Sequence, residues 1–368
     1  MYKILKEDPK TKARIGKLKT RHAAAETPFF MPVATKASVK LITSDELKEM
    51  GAKAIICNSL VLFLRPGLEI IKKAHGLHKF MNFNDVIFTD SGGFQTADKS
   101  FAPVITNNGV LFKSPFDGVP HLITPEKAAN IQEELGSDVA MVLDDMPPYG
   151  KSKDYVIESL KRTHDWASRF KNFHKDSKQL VFGITQGGTF KDLRKISCEL
   201  ISKLDFDGIA LGGLSIGEPK KLMYGMIDYS ERFLPKDTPR YLMGVGSPED
   251  IIDCVSHGID VFDSCMPTRN ARHGTLFTSN GKVLIENREY KEDFRPLDKN
   301  CDCYVCKNHT RAYLNYLIRM KEPTGLRLVS YHNVYFVQNL MKEIRTAIKE
   351  NGFEKFRKEF LKGYLKKK

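Results

Sequence analysis

Residues 180–213 read LVFGITQGGTFKDLRKISCELISKLDFDGIALGG and contain one complete unit of a repeating architecture. An apolar run at 180–184 leads into a glycine-containing turn, a helical pattern at 191–204 and a second apolar run at 208–211. Consecutive apolar residues are typical of a strand that is buried on both faces of a parallel sheet. The stretch therefore predicts a strand, a crossover helix and a second strand parallel to the first.

The same unit recurs along the 368-residue chain. Eight apolar runs predict strands at 29–33, 54–57, 86–89, 139–143, 180–184, 208–211, 241–245 and 259–262. Helical patterns at 44–50, 125–135, 153–173, 191–204 and 248–257 separate several of them. Eight strands that alternate with helices predict an α/β fold, a (β/α)8 barrel of the TIM type. An open, doubly wound sheet is the alternative.

Two regions depart from this rhythm. Between residues 96 and 121, Asn107-Asn108-Gly109 followed by an apolar run predicts a hairpin inserted in a βα loop. The region after the last strand predicts a small zinc-binding appendix. We therefore expect a catalytic barrel at 1–290 and a zinc-binding subdomain with C-terminal helices at 291–368.

The appendix contains four candidate metal ligands, Cys301, Cys303, Cys306 and His332. Three thiolates and one imidazole complete a tetrahedral zinc shell without a position for water, so the predicted zinc is structural. An amphipathic pattern at 310–321 predicts a helix after the cysteines, and we expect a return loop to present His332. The alternative is three core cysteines and a surface histidine.

The composition of the chain indicates which partners it binds and in which cellular compartment it is found. The net charge of +13 favours a polyanionic partner such as nucleic acid. The chain has 7 cysteines, and those outside the cluster are scattered, which suits a reducing cytoplasm better than a disulfide framework. No apolar run reaches membrane-spanning length and the start does not resemble a signal peptide, so we expect a cytoplasmic protein without a membrane partner.

Carboxylates follow three predicted strands, where a barrel places its reactive groups. They are Asp90, Asp144 and Asp263. Two carboxylates on opposite sides of a sugar carbon suit glycosidic chemistry, in which one attacks or stabilises C1′ and the other transfers protons. A further carboxylate and the amide of Gln186 suit the hydrogen-bonding edge of a nucleobase. Any single aspartate here could instead cap a helix.

Two arginines, Arg269 and Arg272, follow Asp263 closely in sequence. Their spacing beside a candidate nucleophile suits phosphates that flank a target nucleotide. The alternative is a solvated turn whose arginines form surface ion pairs.

Seven motifs in this order resemble those of tRNA-guanine transglycosylases. They are DSGGFQ at 90–95, FKSPFDG at 112–118, GITQG at 183–187, GGLSIGE at 212–218, YLMGVG at 241–246, FDSCMPTR at 262–269 and the Cys3His cluster. The resemblance runs from about residue 14 to residue 341. It implies a zinc-bearing barrel that exchanges the wobble guanine of tRNAs with a GUN anticodon for a 7-deazaguanine, in queuosine modification of tRNA.

The resemblance also implies a role for each matched residue. Asp263 is implied as the nucleophile that forms a covalent ester with the ribose, and Asp90 as the general acid and base. The residues implied to bind the base are Asp144, Gln186, Gly213, Leu214, Phe94 and Met243, of which the last two sandwich its faces. Arg269 and Arg272 would contact tRNA. The family further implies one structural zinc per subunit and a homodimer.

Some alternatives stay open. Ile216 argues for a tight pocket and for preQ1 (7-aminomethyl-7-deazaguanine) as the incoming base, whereas Met146 and an altered pocket rim argue for the bulkier queuine. We favour preQ1 and keep a queuine-specific salvage enzyme as the alternative. A catalytically silent tRNA-binding partner subunit would be expected to lack Asp90 or Asp263, and both are present. A zinc hydrolase would need an open metal site at the strand ends, where histidines are missing.

Overall fold

The computed structural model describes residues 1–92 and 103–366. Its strands in chain order are β1 (Tyr2–Glu7), β2 (Arg14–Lys19), β3 (Ala24–Thr27), β4 (Phe29–Ala34), β5 (Ala54–Asn58), β6 (Val86–Asp90), β7 (Val104–Thr106), β8 (Gly109–Lys113), β9 (Pro120–Ile123), β10 (Val139–Met141), β11 (Leu180–Thr185), β12 (Gly208–Leu211), β13 (Arg240–Leu242), β14 (Val261–Ser264), β15 (Thr275–Thr278) and β16 (Gly281–Leu284). Its α-helices are α1 (Ser44–Glu49), α2 (Ser59–Leu64), α3 (Leu68–Lys73), α4 (Leu77–Met81), α5 (Pro125–Leu135), α6 (Lys153–Phe173), α7 (Lys191–Lys203), α8 (Lys220–Glu231), α9 (Pro248–Ser256), α10 (Met266–Arg272), α11 (Tyr304–Asn308), α12 (Arg311–Arg319), α13 (Pro323–Lys349) and α14 (Phe353–Tyr364).

Eight parallel strands close into a barrel in the order β4, β5, β6, β10, β11, β12, β13 and β14, and β14 pairs with β4. All eight predicted strands are present, so the (β/α)8 prediction is confirmed and the open sheet is rejected. Several bounds were wrong. β10 ends at Met141, so Asp144 lies in the following loop, and β14 begins at Val261 and contains Asp263.

Aromatic rings fill part of the barrel interior. The ring of Phe88 on β6 contacts those of Phe182 on β11 and Tyr241 on β13, with centroid distances of 5.4 and 6.2 Å. These strands alternate around the barrel, as expected of side chains that form one interior layer. Because side chains two residues apart on a strand share a face, Asp90 points into the same interior one step above Phe88. Asp90 therefore lies directly above this aromatic layer, toward the carboxyl ends of the strands.

The antiparallel sheet β1–β3 lies across the amino-terminal ends of the barrel strands. Arg14 on β2 forms a buried ion pair with Asp260, which precedes β14, at 2.6 Å. His22 and His78 both bond to the buried carboxylate of Asp138, which precedes β10, at 2.9 Å. These contacts fix the end of the barrel that is opposite to the predicted site.

The insertion after β6 contains the predicted hairpin. Thr106 on β7 pairs with Gly109 on β8, so Asn107 and Asn108 form a two-residue loop. A third strand, β9, extends the hairpin into a sheet and was not predicted. The hairpin tip is held by Trp166 on α6, whose Nε1 donates to the carbonyl of Asn107 at 2.8 Å. Residues 96–102 of the predicted insertion lie outside the described residues.

The carboxyl-terminal region differs from the prediction in one respect. The helix predicted at 310–321 is present as α12, but His332 lies within the 27-residue helix α13 and not on a return loop. Only residues 320–322 separate α12 from α13, because Pro323 starts a new helix directly. Further along α13, Gln338 donates to the carbonyl of Phe30 on β4 at 3.1 Å, which ties this helix to the barrel.

A second hydrophobic cluster surrounds the cysteines and includes Ala271 and Leu276. The division of the chain at residue 290 stays a prediction. Among the described residues, no helix has the length and apolar character that crossing a membrane would require.

Candidate active site and metal centre

Asp263 is held through one of its two carboxylate oxygens. The hydroxyl of Tyr241 donates to Oδ1 at 2.6 Å, and the backbone N–H of Gly244 donates to the same atom at 2.8 Å. Within residues 1–92 and 103–366, Oδ2 accepts no hydrogen bond. Burial raises the pKa of Asp263, while the bonds from Tyr241 and Gly244 oppose this shift. An anchored carboxylate with one free oxygen is suited to attack an electrophilic carbon.

Asp90 ends β6 and pairs in register with Asn58 on β5. The amide of Asn58 donates to both carboxylate oxygens, at 3.1 and 2.9 Å, and the backbone N–H groups of Ser59 and Gly92 donate to Oδ1. Burial raises the pKa of Asp90 to about 7 against these bonds, and the nearby charge of Asp263 adds to the rise. A carboxyl group with this pKa can both give and take a proton near neutral pH.

Asp144 and Gln186 form a second polar pair at the same end of the barrel. Gln186 Nε2 donates to Asp144 Oδ2 at 2.6 Å. Burial raises the pKa of Asp144 to about 6, although the bond from Gln186 lowers it. Gln186 Oε1 is buried and has no hydrogen-bond partner within the described ranges. A buried acceptor without a partner is costly, so this pair is suited to a ligand that brings N–H donors.

At two glycines, the backbone of the loop after β12 lies directly against the side chain of Gln186. A Cβ atom at Gly212 would lie 2.5 Å from Gln186 Nε2, and one at Gly213 would lie 2.3 Å from Oε1. Gly213 also has a φ of +64°, a conformation that side chains disfavour. Only glycine therefore lets this loop approach the polar pair.

For the remaining predicted base-binding residues, the structure gives the position of two and does not describe the third. Leu214 follows Gly213 and is buried, and Met243 is half-buried beside Gly244, whose N–H binds Asp263. Phe94 lies outside the described residues.

Arg269 and Arg272 lie on the short helix α10, which begins three residues after Asp263. At a spacing of three they share one helix face. In the part of the chain that is described, neither guanidinium forms an ion pair with a carboxylate, and Arg272 Nη1 is buried without a partner. The surface ion pairs of the alternative interpretation are therefore not found there.

Three residues that support the site were not predicted. They are Asn58 beside Asp90, Tyr241 beside Asp263, and Arg194, whose guanidinium binds carbonyls of the glycine loops. Asn58 could have been found, because it directly follows a predicted strand adjacent to that of Asp90. The sequence contains one signal for Arg194, which is a cation at a position that belongs to the buried face of helix α7.

The four predicted metal ligands lie together. The Sγ atoms of Cys301, Cys303 and Cys306 lie 3.9, 3.4 and 3.5 Å from Nδ1 of His332. Zinc bond lengths in a tetrahedral shell predict an S···N separation of about 3.6 Å, so these residues fit Zn²⁺. Nε2 of His332 bonds to the carbonyl of Phe277 at 2.6 Å, which leaves Nδ1 for the metal.

The residue after His332 connects this metal centre to the barrel. Asn333 accepts from the N–H of Phe277 and donates to the carbonyls of Pro267 and Thr275, each at 3.0 Å. Pro267 belongs to α10, the helix of the two arginines.

A family model described as queuine tRNA-ribosyltransferase matches residues 8–366. The chain belongs to the queuine tRNA-ribosyltransferase family. The queuine tRNA-ribosyltransferase of Caldanaerobacter subterraneus subsp. tengcongensis is 53% identical over 364 residues, which cover 99% of this chain and 97% of that protein. Proteins of the same name from Halothermothrix orenii and Listeria innocua are 51% and 48% identical, and they cover 100% and 99% of this chain with 98% and 96% of their own length.

Membership in the queuine tRNA-ribosyltransferase family confirms the predicted resemblance and makes the chain a pentosyltransferase. The two clusters of side chains then suit separate roles. The carboxylates at the barrel mouth suit transfer at a sugar carbon. The Cys3His set would hold zinc in a closed shell, outside the chemistry.

The zinc assignment predicts a selective effect of Cys303→Ala. The variant should lose bound zinc and unfold at a lower temperature, because the remaining ligands no longer close the shell. Metal analysis and thermal unfolding of the purified proteins measure both effects. Cys254→Ala is the matched control, since Cys254 is equally buried but lies in the barrel core. Full zinc content in Cys303→Ala would show that the ligand set is wrong.

Proposed function

We propose that the protein exchanges the wobble guanine of tRNAs with a GUN anticodon for a 7-deazaguanine through a covalent ester between Asp263 and the ribose. The observation that carries this proposal is the state of the two catalytic carboxylates. Asp263 has one anchored oxygen and one oxygen that accepts no hydrogen bond within the described ranges, and burial raises the pKa of the nearby Asp90 to about 7. This is the pairing that retaining transfer at a sugar carbon requires.

In the first step, Oδ2 of Asp263 attacks C1′ of the ribose and the C1′–N9 bond to guanine breaks. Asp90 in its protonated form supplies a proton to the departing base. In the second step, ionised Asp90 takes the N9 proton of the incoming base, N9 attacks C1′, and the ester bond to Asp263 breaks. Two displacements retain the configuration at C1′ and require no redox cofactor. A pKa near 7 serves both duties of Asp90.

Base recognition is assigned to Asp144, Gln186 and the backbone of Gly213 and Leu214. A guanine-type edge offers ring and amino N–H donors, which can bind to Asp144 and to Gln186 Oε1, an acceptor without a partner among the described residues. Met243 and Phe94 are assigned to the faces of the base, a role that suits a thioether and an aromatic ring.

The tRNA contacts are assigned to Arg269 and Arg272. Their guanidinium groups, without carboxylate partners in the described ranges, are available to backbone phosphates on either side of the target nucleotide. The net charge of +13 would strengthen association with a polyanion generally. Because the substrate is tRNA, a cytoplasmic location is part of the proposal.

A homodimer is also proposed, and an aromatic surface beside the metal centre supports it. The rings of Tyr331, Tyr304, His309 and Tyr313 follow one another with centroid distances of 6.3, 5.7 and 5.4 Å. Tyr304, Tyr313 and Tyr316 are 55, 43 and 59% exposed. Exposed tyrosines at this density are typical of protein interfaces.

The nucleophile assignment predicts the outcome for Asp263→Asn. The amide oxygen can still accept from Tyr241 and Gly244, but it cannot form an ester, so no denaturation-resistant complex with tRNA should form. Denaturing gel electrophoresis after incubation with tRNA detects the complex. Tyr241→Phe, which keeps the carboxylate, should still form it. A persistent complex in Asp263→Asn would refute the covalent mechanism.

The acid–base assignment predicts a pH shift in Asn58→Ser. Serine retains the helix cap at this position but loses the amide donors that stabilise ionised Asp90. The pKa of Asp90 should rise further, and the acid limb of kcat/KM for the incoming base should move up by about one pH unit.

The pH–rate profiles of wild type and Asn58→Ser measure this shift. Activity should rise with pH through the pKa of Asp90, because the ionised form is the base. Any limb of the pH–rate profile that reports Asp144, whose pKa is about 6, should be at the same pH in both proteins. If the whole profile is unchanged, Asp90 is not the group that titrates.

The preQ1 assignment predicts the outcome of a competition assay. Exchange of radiolabelled guanine into tRNA with a GUN anticodon should be inhibited more strongly by preQ1 than by queuine, because the half-buried Ile216, two residues after Leu214, is assigned to a tight base pocket. Stronger inhibition by queuine would favour the salvage enzyme, in which Met146 accommodates the larger base. Absence of competition by either base would reject the substrate proposal.

A further inference from the structure

Arg194 is a buried cation that has no carboxylate partner among the described residues. It lies on α7 with 0% of its surface exposed. Nε donates to the carbonyl of Gly188 at 2.7 Å, and Nη2 donates to the carbonyls of Gly212 and Gly213 at 2.7 and 3.2 Å. Burial lowers the pKa of its guanidinium to about 10, so it remains charged at neutral pH. Glu218 acts on this charge only through space, and a buried charge that no carboxylate of the described residues contacts is costly to stability, which suggests a functional reason for it.

The two glycine carbonyls identify the peptide groups that Arg194 holds. The carbonyl of Gly212 shares a peptide group with the N–H of Gly213, and the carbonyl of Gly213 shares one with the N–H of Leu214. In a trans peptide the C=O and N–H bonds point in opposite directions. With both carbonyls turned toward Arg194, both N–H groups face away from it. Within residues 1–92 and 103–366, neither N–H has a hydrogen-bond partner.

We propose that Arg194 is a positioning residue that aims and polarises the N–H groups of Gly213 and Leu214 toward the carbonyl oxygen of the base. A cation on a peptide carbonyl draws electron density through the amide, which makes its N–H a stronger donor. Negative charge gathers on the base as its bond to C1′ breaks, and preorganised donors stabilise such charge. The inference rests on the proposed function, since it concerns the same base site.

Arg194 also connects the two loops of the base site. Its Nε binds Gly188 in the loop that carries Gln186, while its Nη2 binds the loop of Gly212 and Gly213. The fork of the guanidinium is needed for this, because an ammonium group presents its charge at one point. Arg194→Lys should therefore keep the charge but lose the connection between the loops.

The test compares guanine with 6-thioguanine, which keeps the ring and amino N–H donors but replaces the carbonyl oxygen with a weaker acceptor. Calorimetry gives the affinity of each base for the wild type, Arg194→Lys and Arg194→Gln. The wild type should bind guanine more tightly than 6-thioguanine. In the Arg194 variants the ratio of the two affinities should fall by about tenfold, as expected for the loss of one or two polarised hydrogen bonds. In exchange assays, kcat/KM should fall for both guanine and tRNA, because the departing guanine of tRNA occupies the same base site.

Arg14→Lys is the matched control. Arg14 is similarly buried and also donates to backbone carbonyls, those of Lys236 and Thr238, but it lies at the opposite end of the barrel. It should lower the unfolding temperature and leave the preference for guanine unchanged. If a folded Arg194 variant keeps the wild-type preference, Arg194 only stabilises the fold and the inference is wrong.

A measurement on the wild type covers the case in which the Arg194 variants do not fold. In protein with labelled backbone amides, guanine should shift the amide resonances of Gly213 and Leu214 downfield more than 6-thioguanine does. Equal or absent shifts would overturn the inference. The proposed function fails separately, if the wild type binds guanine with these shifts but does not exchange it into tRNA.

Discussion

The pairing of β14 with β4 closes the barrel, and the arrangement of the site depends on this closure. Closure brings the carboxyl ends of all eight strands to one mouth, so that residues distant in sequence become neighbours. Asp263 comes from the last strand and Asp90 from the third, yet the charge of one raises the pKa of the other. In an open sheet β6 and β14 would lie far apart, and Asp90 and Asp263 would not come together, whereas Asp144 and Gln186 follow the neighbouring strands β10 and β11 and do not depend on closure.

Burial at this mouth determines the chemistry that is possible there. It raises the pKa of Asp90, Asp144 and Asp263, while hydrogen bonds from Asn58, Gln186 and Tyr241 limit each rise. The balance differs from residue to residue, which allows carboxyl groups at one end of the barrel to have different protonation states. Arg194 adds the opposite charge behind the glycine loops, where it contacts peptide carbonyls and no acid of the described residues.

Sequence patterns predicted the barrel because strands buried on both faces leave continuous apolar runs. They predicted Asp90 and Asp263 because barrel chemistry is confined to strand ends. They did not predict Tyr241 as the partner of Asp263, since that pairing depends on the register between strands, whereas Asn58 had a recognisable signal in its position directly after a predicted strand. The placement of His332 on a loop was wrong because local patterns do not show that Pro323 restarts a helix within three residues. The role of Phe94 stays a prediction.

The helix α13 joins two parts of the molecule that perform different tasks. It carries His332 of the metal centre, Asn333 bound to the backbone of α10, and Gln338 bound to β4, the strand that closes the barrel against Asp263. Any ligand that binds the folded state alone contributes to its free energy through mass action. Zinc bound by the Cys3His set would therefore link the concentration of free metal thermodynamically to the order of the β14–β4 pair that carries Asp263.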